Sequence, residues 1–204
     1  DEVSPELLAL KPDVTLSIVR NGEDRVGYKQ KVCYNENIYR ISDSTGQYKE
    51  IMQTGLECIG DIDLYDIYET VSLAARSLAL ISADFVLQVS HMGLLTAVLD
   101  SISLDAEFRR QAISFIARKD THDLIRLCRR YEIPDGQIQL LTQLVTVYGS
   151  REAVLDKLME QCAILAPEAM EELKSLSALL NRLPQSERII FDFSVVNDCN
   201  YYDG

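Results

Sequence analysis

The sequence predicts an α+β fold in which an antiparallel sheet with flanking helices is interrupted by a helical insertion. Two observations carry this. Short β-like runs occupy residues 1–60 and return at 189–196. Between them, from 105 to 183, one amphipathic pattern follows another with only brief breaks. At 204 residues the chain can hold one large domain or two small ones. The expected division is a single core domain, with 1–104 and 184–204 forming the sheet and 105–183 the insertion.

The early elements read as follows. Leu16-Ser17-Ile18-Val19 is an apolar β-like run. Lys31-Val32-Cys33-Tyr34 and Ile38-Tyr39-Arg40-Ile41 are expected to flank a turn at Asn35-Glu36-Asn37. Ser42 to Gly46 is a polar loop. Ile51 to Ile59 alternates as a strand with one face on a core would. Tyr65, Tyr68, Val71, Ala75 and Leu78 make one helical stripe. Phe85–Val89 reads as a buried strand, and Gly93–Leu99 resumes helix. Helices are then expected at 105–117, 120–131, 136–147, 151–163 and 167–182, with caps at Thr121 and Ser150. Pro184-Gln185-Ser186 returns the chain to a last strand, Ile189–Val196.

Composition narrows the function classes. Twenty basic against thirty-two acidic residues give a net charge of −12. That argues against nucleic acid, tRNA included, and against anionic membrane, both of which call for a basic field. No apolar run is long enough for a membrane span, and Asp1-Glu2 opens no secretion signal. A cytoplasmic protein, here an excerpt of a longer chain, is the expectation. The five cysteines are widely spaced without a C-x-x-C pair, so they read as reduced, mostly buried small hydrophobes. The two histidines, His91 and His122, share no ligand pattern. No metal, cofactor or catalytic triad is expected, and neither common nucleotide-binding glycine motif is present. Asp61, Asp63, Asp66 and Glu69 depart from a calcium loop at its sixth position and read as a solvated acidic helix start. Arg109-Arg110 and Arg129-Arg130 read as solvated helix faces.

One strand carries more specific chemistry. Gln53, Gly55 and Glu57 are two residues apart, so their side-chain directions share one sheet face. Gly55 leaves a gap between an amide and a carboxylate. That arrangement reads equally as the floor for a small cationic or amino-bearing ligand, walled by Asp13, Thr15 and tyrosines, or as a polar solvated face.

Three segments settle a resemblance jointly. They are Leu10-Lys11-Pro12-Asp13-Val14-Thr15, then Ile38-Tyr39-Arg40 with Gly46 to Gly60, and Phe191 to Gly204. Together they resemble the histidyl-tRNA synthetase-like core of class II synthetases. The middle segment is similar to that family's motif 2, and the last to its histidine-specific motif. The resemblance implies a histidine pocket: Asp13 and Thr15 at the ligand's α-amino group with Gln53 beside them, and Glu57 and Tyr202 at the imidazole. Arg40 matches the motif 2 arginine that holds phosphate, a candidate anion contact.

Departures from the family are equally informative. Asn197 stands where the synthetase places a catalytic arginine, and Gln47 and Lys49 replace the arginines of the motif 2 loop. An amide cannot supply a fixed bidentate cation for adenylation. The pattern resembles the family's branch of ATP phosphoribosyltransferase regulatory subunits. That branch implies a non-catalytic, allosteric component of histidine biosynthesis that binds histidine, dimerises, and assembles with the short-form catalytic subunit. The alternative is a synthetase that activates histidine with ATP.

Overall fold

The computed structural model describes residues 9–22, 26–42 and 44–196. It is α+β and divides into two compact units, Asp1–Val71 and Ser72–Gly204.

In the first unit a short helix α1 (Thr15–Asn21) precedes a long antiparallel hairpin, β1 (Lys29–Ile41) and β2 (Tyr48–Gly60). The 16–19 run is therefore helical, not β. The Asp13 carboxylate accepts from the Leu16 N–H at 3.0 Å, which turns the chain into a helix before any strand partner is met. The expected turn at Asn35-Glu36-Asn37 is also absent, and β1 runs straight through it. Cross-strand pairs hold these polar residues extended. Thr54 Oγ1 donates to Asn35 Oδ1 at 3.0 Å, and Asn37 Nδ2 donates to Glu50 Oε1 at 2.8 Å. Such pairs contribute about 0.2–1 kcal/mol each. The chain reverses instead at the polar loop, where Gly46 takes φ +65° and the Ser42 N–H donates to the Gln47 carbonyl. Gly60 closes the hairpin at φ +109°. A Cβ there would lie 2.1 Å from the Tyr28 carbonyl oxygen.

Helix α2 (Leu64–Ile81) begins in this unit. Its Asp66 is 2% exposed and pairs with both Lys29 and Lys31, and Lys31 also reaches Glu69 at 2.5 Å. The acidic helix start is thus an ion-paired anchor, not a solvated run. Two lysines projecting from one hairpin face meet it, and their hydrogen bonds hold the Asp66 carboxyl far below the ordinary carboxylate range. Among the described residues of this unit only Val14 and Ile38 are buried apolar side chains. Its cohesion therefore rests on the hairpin ladder and these charges.

The second unit continues α2 and adds β3 (Leu87–Val89), α3 (Met92–Ile102), α4 (Ala106–Ala117), α5 (Thr121–Arg130), α6 (Asp135–Thr146), β4 (Gly149–Ser150), α7 (Arg151–Leu165), α8 (Pro167–Leu180) and β5 (Ile189–Phe191). Strand β5 lies between β3 and β4, parallel to β3 with Leu87 opposite Ile189 and antiparallel to β4. Strands on either side of the helical run therefore pair with each other. Asp105, Asp120 and Ser150 cap α4, α5 and α7. The α5 cap is Asp120, not Thr121, because Lys119 at φ 56° ends the previous helix and Thr121 is already the first helical residue. Phe108, Phe191, Phe193, Leu94, Leu95, Leu99, Ile116 and Leu124 are each 0% exposed. At about 1.5–3 kcal/mol per buried side chain, this unit has a conventional apolar core. Strand β5 ends at Phe191, short of the expected Val196, because the chain turns just after Asp192, whose N–H still donates to the Val89 carbonyl of β3 and whose carbonyl accepts from the Val195 N–H. Asp192 is 2% exposed and accepts from Ser194 N–H at 3.0 Å, Ser194 Oγ at 2.5 Å and Lys119 Nζ at 3.0 Å.

Candidate functional site

The hairpin register sets the geometry of the site. Gln53, Gly55 and Glu57 lie on one face of β2, opposite Glu36, Tyr34 and Val32 of β1. Thr15, the first residue of α1, donates from Oγ1 to Glu57 Oε1 at 2.6 Å. Gln53 Nε2 donates to the Tyr34 hydroxyl at 2.9 Å. The gap expected over Gly55 is occupied by Tyr34, and a Cβ at position 55 would fall 2.2 Å from the ring Cζ. Glycine is needed here for the close approach of an aromatic ring and not for its backbone angles.

Tyr34 is the functional candidate that pattern reading missed. Burial pushes its phenol above the ordinary value of 10.0, and the Glu57 carboxylate pushes it the same way, against opposing hydrogen bonds from Gln53 and Thr15. It is neutral at physiological pH. While accepting from Gln53 it keeps one O–H to donate. The Asp13 charge also acts on this phenol. Asp13, Thr15, Gln53 and Glu57, all half-buried, thus gather around Tyr34. Asp13 spends one oxygen on the α1 start.

Arg40 is on the same face of β1 but six residues from Tyr34, about 20 Å along the strand. It is exposed, its Nε donates to the Pro12 carbonyl at 3.4 Å, and its cross-strand neighbour is Lys49. The two cations lie at the loop end of the hairpin, whereas Glu57 stands opposite Val32 toward its other end. Tyr202 and Asn197 lie outside the described residues.

The group around Tyr34 is rich in acceptors. It holds two carboxylates, an amide carbonyl and two hydroxyls, with no cation among the five side chains. Such a surface suits a ligand with N–H donors and positive charge, and repels phosphate. Among the described residues no cluster of His, Cys, Asp or Glu could hold a metal ion, and no helix is long and apolar enough to cross a membrane.

The fold is that of class II synthetase-like proteins. The histidyl-tRNA synthetase family model matches residues 1–204, and the chain belongs to that family. A curated relative, the ATP phosphoribosyltransferase regulatory subunit of Caldanaerobacter subterraneus subsp. tengcongensis, is 27% identical over 97% of this chain and 53% of its own length. Other curated relatives, at 24–28% identity, carry the same name. The chain spans about half the length of these relatives. A solved ATP phosphoribosyltransferase regulatory subunit/histidyl-tRNA synthetase from Bacillus halodurans superposes with a TM-score of 0.69 at 22% identity, covering 94% of this chain and 51% of that one. The ATP phosphoribosyl transferase (HisG:HisZ) complex from Thermotoga maritima contains a chain that superposes with a TM-score of 0.62 at 19% identity, covering 92% and 65%.

Proposed function

We propose that this chain is part of a non-catalytic regulatory subunit of ATP phosphoribosyltransferase that binds histidine and conveys feedback inhibition to a short-form catalytic subunit. The observation that carries the reading is the acceptor-rich group of Asp13, Thr15, Gln53 and Glu57 around Tyr34, in a chain of the histidyl-tRNA synthetase family. Histidine at neutral pH offers an ammonium and an imidazole N–H. The hydroxyls and carboxylates accept both, and Tyr202 completes the imidazole end. The relatives' shared name and the Thermotoga maritima complex support the catalytic subunit as partner. The subunit acts in the cytoplasm as a self-dimer, with 1–104 and 184–204 as one synthetase-like core and 105–183 as its insertion.

Asn197, Gln47 and Lys49 favour regulation over synthesis, since the cationic clamp for ATP is thinned. Coupling then requires histidine to bind one state of the complex more tightly than another. The test mixes the full-length protein with a short-form catalytic subunit and follows phosphoribosyl-ATP formation. Activity that appears only in the mixture and falls with histidine is expected. Histidine-dependent ATP–pyrophosphate exchange by the protein alone, without stimulation of the partner, would overturn this reading in favour of the synthetase.

A further inference from the structure

The charge of this acidic chain is unevenly spread. Residues 105–131, which comprise α4, α5 and their connection, hold seven basic and four acidic residues, a net +3. The rest of the chain holds thirteen basic and twenty-eight acidic residues. This basic island contains a cleft of about 310 Å³ between α4 and α5, lined by Gln111, Phe115, Asp123, Arg126, Leu127 and Arg130. Phe115 and Leu127 supply an apolar floor. Arg126 and Arg130, one helical turn apart on α5, supply a cationic rim.

The pairing of these arginines is incomplete. Arg109 and Arg110 meet Asp100 and Glu107. In contrast, Arg130 Nη2 reaches across to α4 and donates to a neutral partner, Gln111 Oε1, at 2.8 Å. Arg118 donates to the Ser114 carbonyl and stacks 5.2 Å from the Phe115 ring centroid. Among the described residues neither Arg118, Arg129 nor Arg130 forms a salt bridge with a carboxylate. Among the described residues Arg126 pairs only with Asp123 one turn away, and its side chain is 72% exposed. Arginines over an apolar, partly aromatic floor are the composition of interface centres.

We propose that this cleft is a docking surface for an acidic protein segment carrying an apolar anchor, and, resting on the functional reading above, that the segment belongs to the catalytic subunit. The anchor seats on Phe115 and Leu127, and flanking carboxylates take Arg126, Arg130 and Arg118. A long polyanion is disfavoured, because the remainder of the chain carries −15 and repels whatever extends beyond the island. A second copy meeting isologously at this cleft would set arginine against arginine.

The test measures the affinity of the full-length protein for a short-form catalytic subunit by surface plasmon resonance at low and high salt. It uses wild type, Arg126→Glu/Arg130→Glu and the milder Arg126→Gln/Arg130→Gln. Both variants are exposed-face changes whose folding is checked by their circular dichroism melts and histidine affinity. The inference expects at least a tenfold loss in the reversal variant and a smaller loss in the neutral one. It further expects wild-type binding that weakens with salt and unchanged histidine binding. Wild type that binds the catalytic subunit with the variants equally tight overturns this inference alone. Wild type with no affinity for the catalytic subunit overturns both it and the reading it rests on. An RNA hairpin, or self-association in sedimentation, that depends on these two arginines overturns it in favour of that occupant.

Discussion

Tyr34 and Gly55 are direct cross-strand partners, and the tyrosine ring fills the space a side chain at 55 would need. The glycine is thus a shape complement to one named ring. Gly55→Ala must displace that ring and strain the Gln53–Tyr34 hydrogen bond, at about 1–3 kcal/mol in stability. In a Tyr34→Ala background the same change meets no ring. Urea unfolding of the two singles and the double should therefore show clear coupling. Additive losses would mean that the ring and the glycine do not share this space.

The same pair shows what was legible in the residues and what was not. Alternation alone places Gln53, Gly55 and Glu57 on one face, and the hairpin bears this out. It cannot say what stands opposite them until the turn is located. Reading a turn at Asn35-Glu36-Asn37 rested on asparagine's turn preference, which cross-strand partners at Thr54 and Glu50 overrode. With the reversal at Ser42–Gln47, the register brings Tyr34 onto Gly55 directly. The helices from 105 onward were legible to within two residues at each end, because breaks at Pro134 and Gly149 separate them and α5 carries a strong 3.6-residue stripe. Helix α1 was not, since its seven residues are too few to show a helical period and its start is marked by Asp13 rather than by an apolar stripe. The burial of Asp66 was hidden for a different reason. A carboxylate at a helix start looks solvated unless the two lysines from a distant strand are known to reach it.

That ion cluster sets an acid limit. The folded Asp66 carboxyl is held below its ordinary value of 3.8, chiefly by hydrogen bonds from Lys29 and Lys31. A depressed folded value means that the unfolded chain takes up the proton first. The contribution is fully present well above pH 3.8 and is lost as pH falls through that value toward the folded one. Asp66→Asn is expected to lower Tm by several degrees at pH 7. It should also flatten the decline of Tm between pH 5 and pH 3 relative to wild type. Parallel Tm curves for the two proteins across that interval would show that Asp66 does not anchor the hairpin.

Arg151 tests a different kind of buried charge. It is 3% exposed, and its Nη1 donates to the carbonyls of Ser186 and Ile189, each at 2.5 Å, while Nη2 donates to Asn181. The guanidinium ties the start of α7 to the segment that returns the chain to β5. Lysine has the charge but not the planar fork needed to reach three oxygens in two directions. Arg151→Lys should cost about 1–3 kcal/mol by leaving buried carbonyls unsatisfied. Thermal melts of the variant check this, and a loss within about 0.5 kcal/mol, the usual range for surface changes, would argue against the tie.

His91 makes the final prediction, because its cap role and its protonation are mutually exclusive. Its Nδ1 accepts from the Leu94 N–H at 3.0 Å at the start of α3, which requires the neutral ring. Burial lowers its proton affinity below the ordinary value of 6.5, although Glu172, whose Oε2 lies 3.8 Å from Nε2, works in the opposite direction. A depressed folded value for a histidine means that the unfolded chain binds the proton more readily. Stability therefore declines as pH falls below about 6.5 and levels off once the folded value is passed. Asn at position 91 keeps an acceptor for the cap and removes the titration. His91→Asn is accordingly expected to match wild type within about 1 kcal/mol near pH 7.5 and to lose less between pH 6.5 and 5. Paired Tm measurements across that interval decide the matter. Parallel slopes in the two proteins would mean that the ring takes up its proton as readily in the folded chain as in the unfolded one, and that the cap does not hold it neutral.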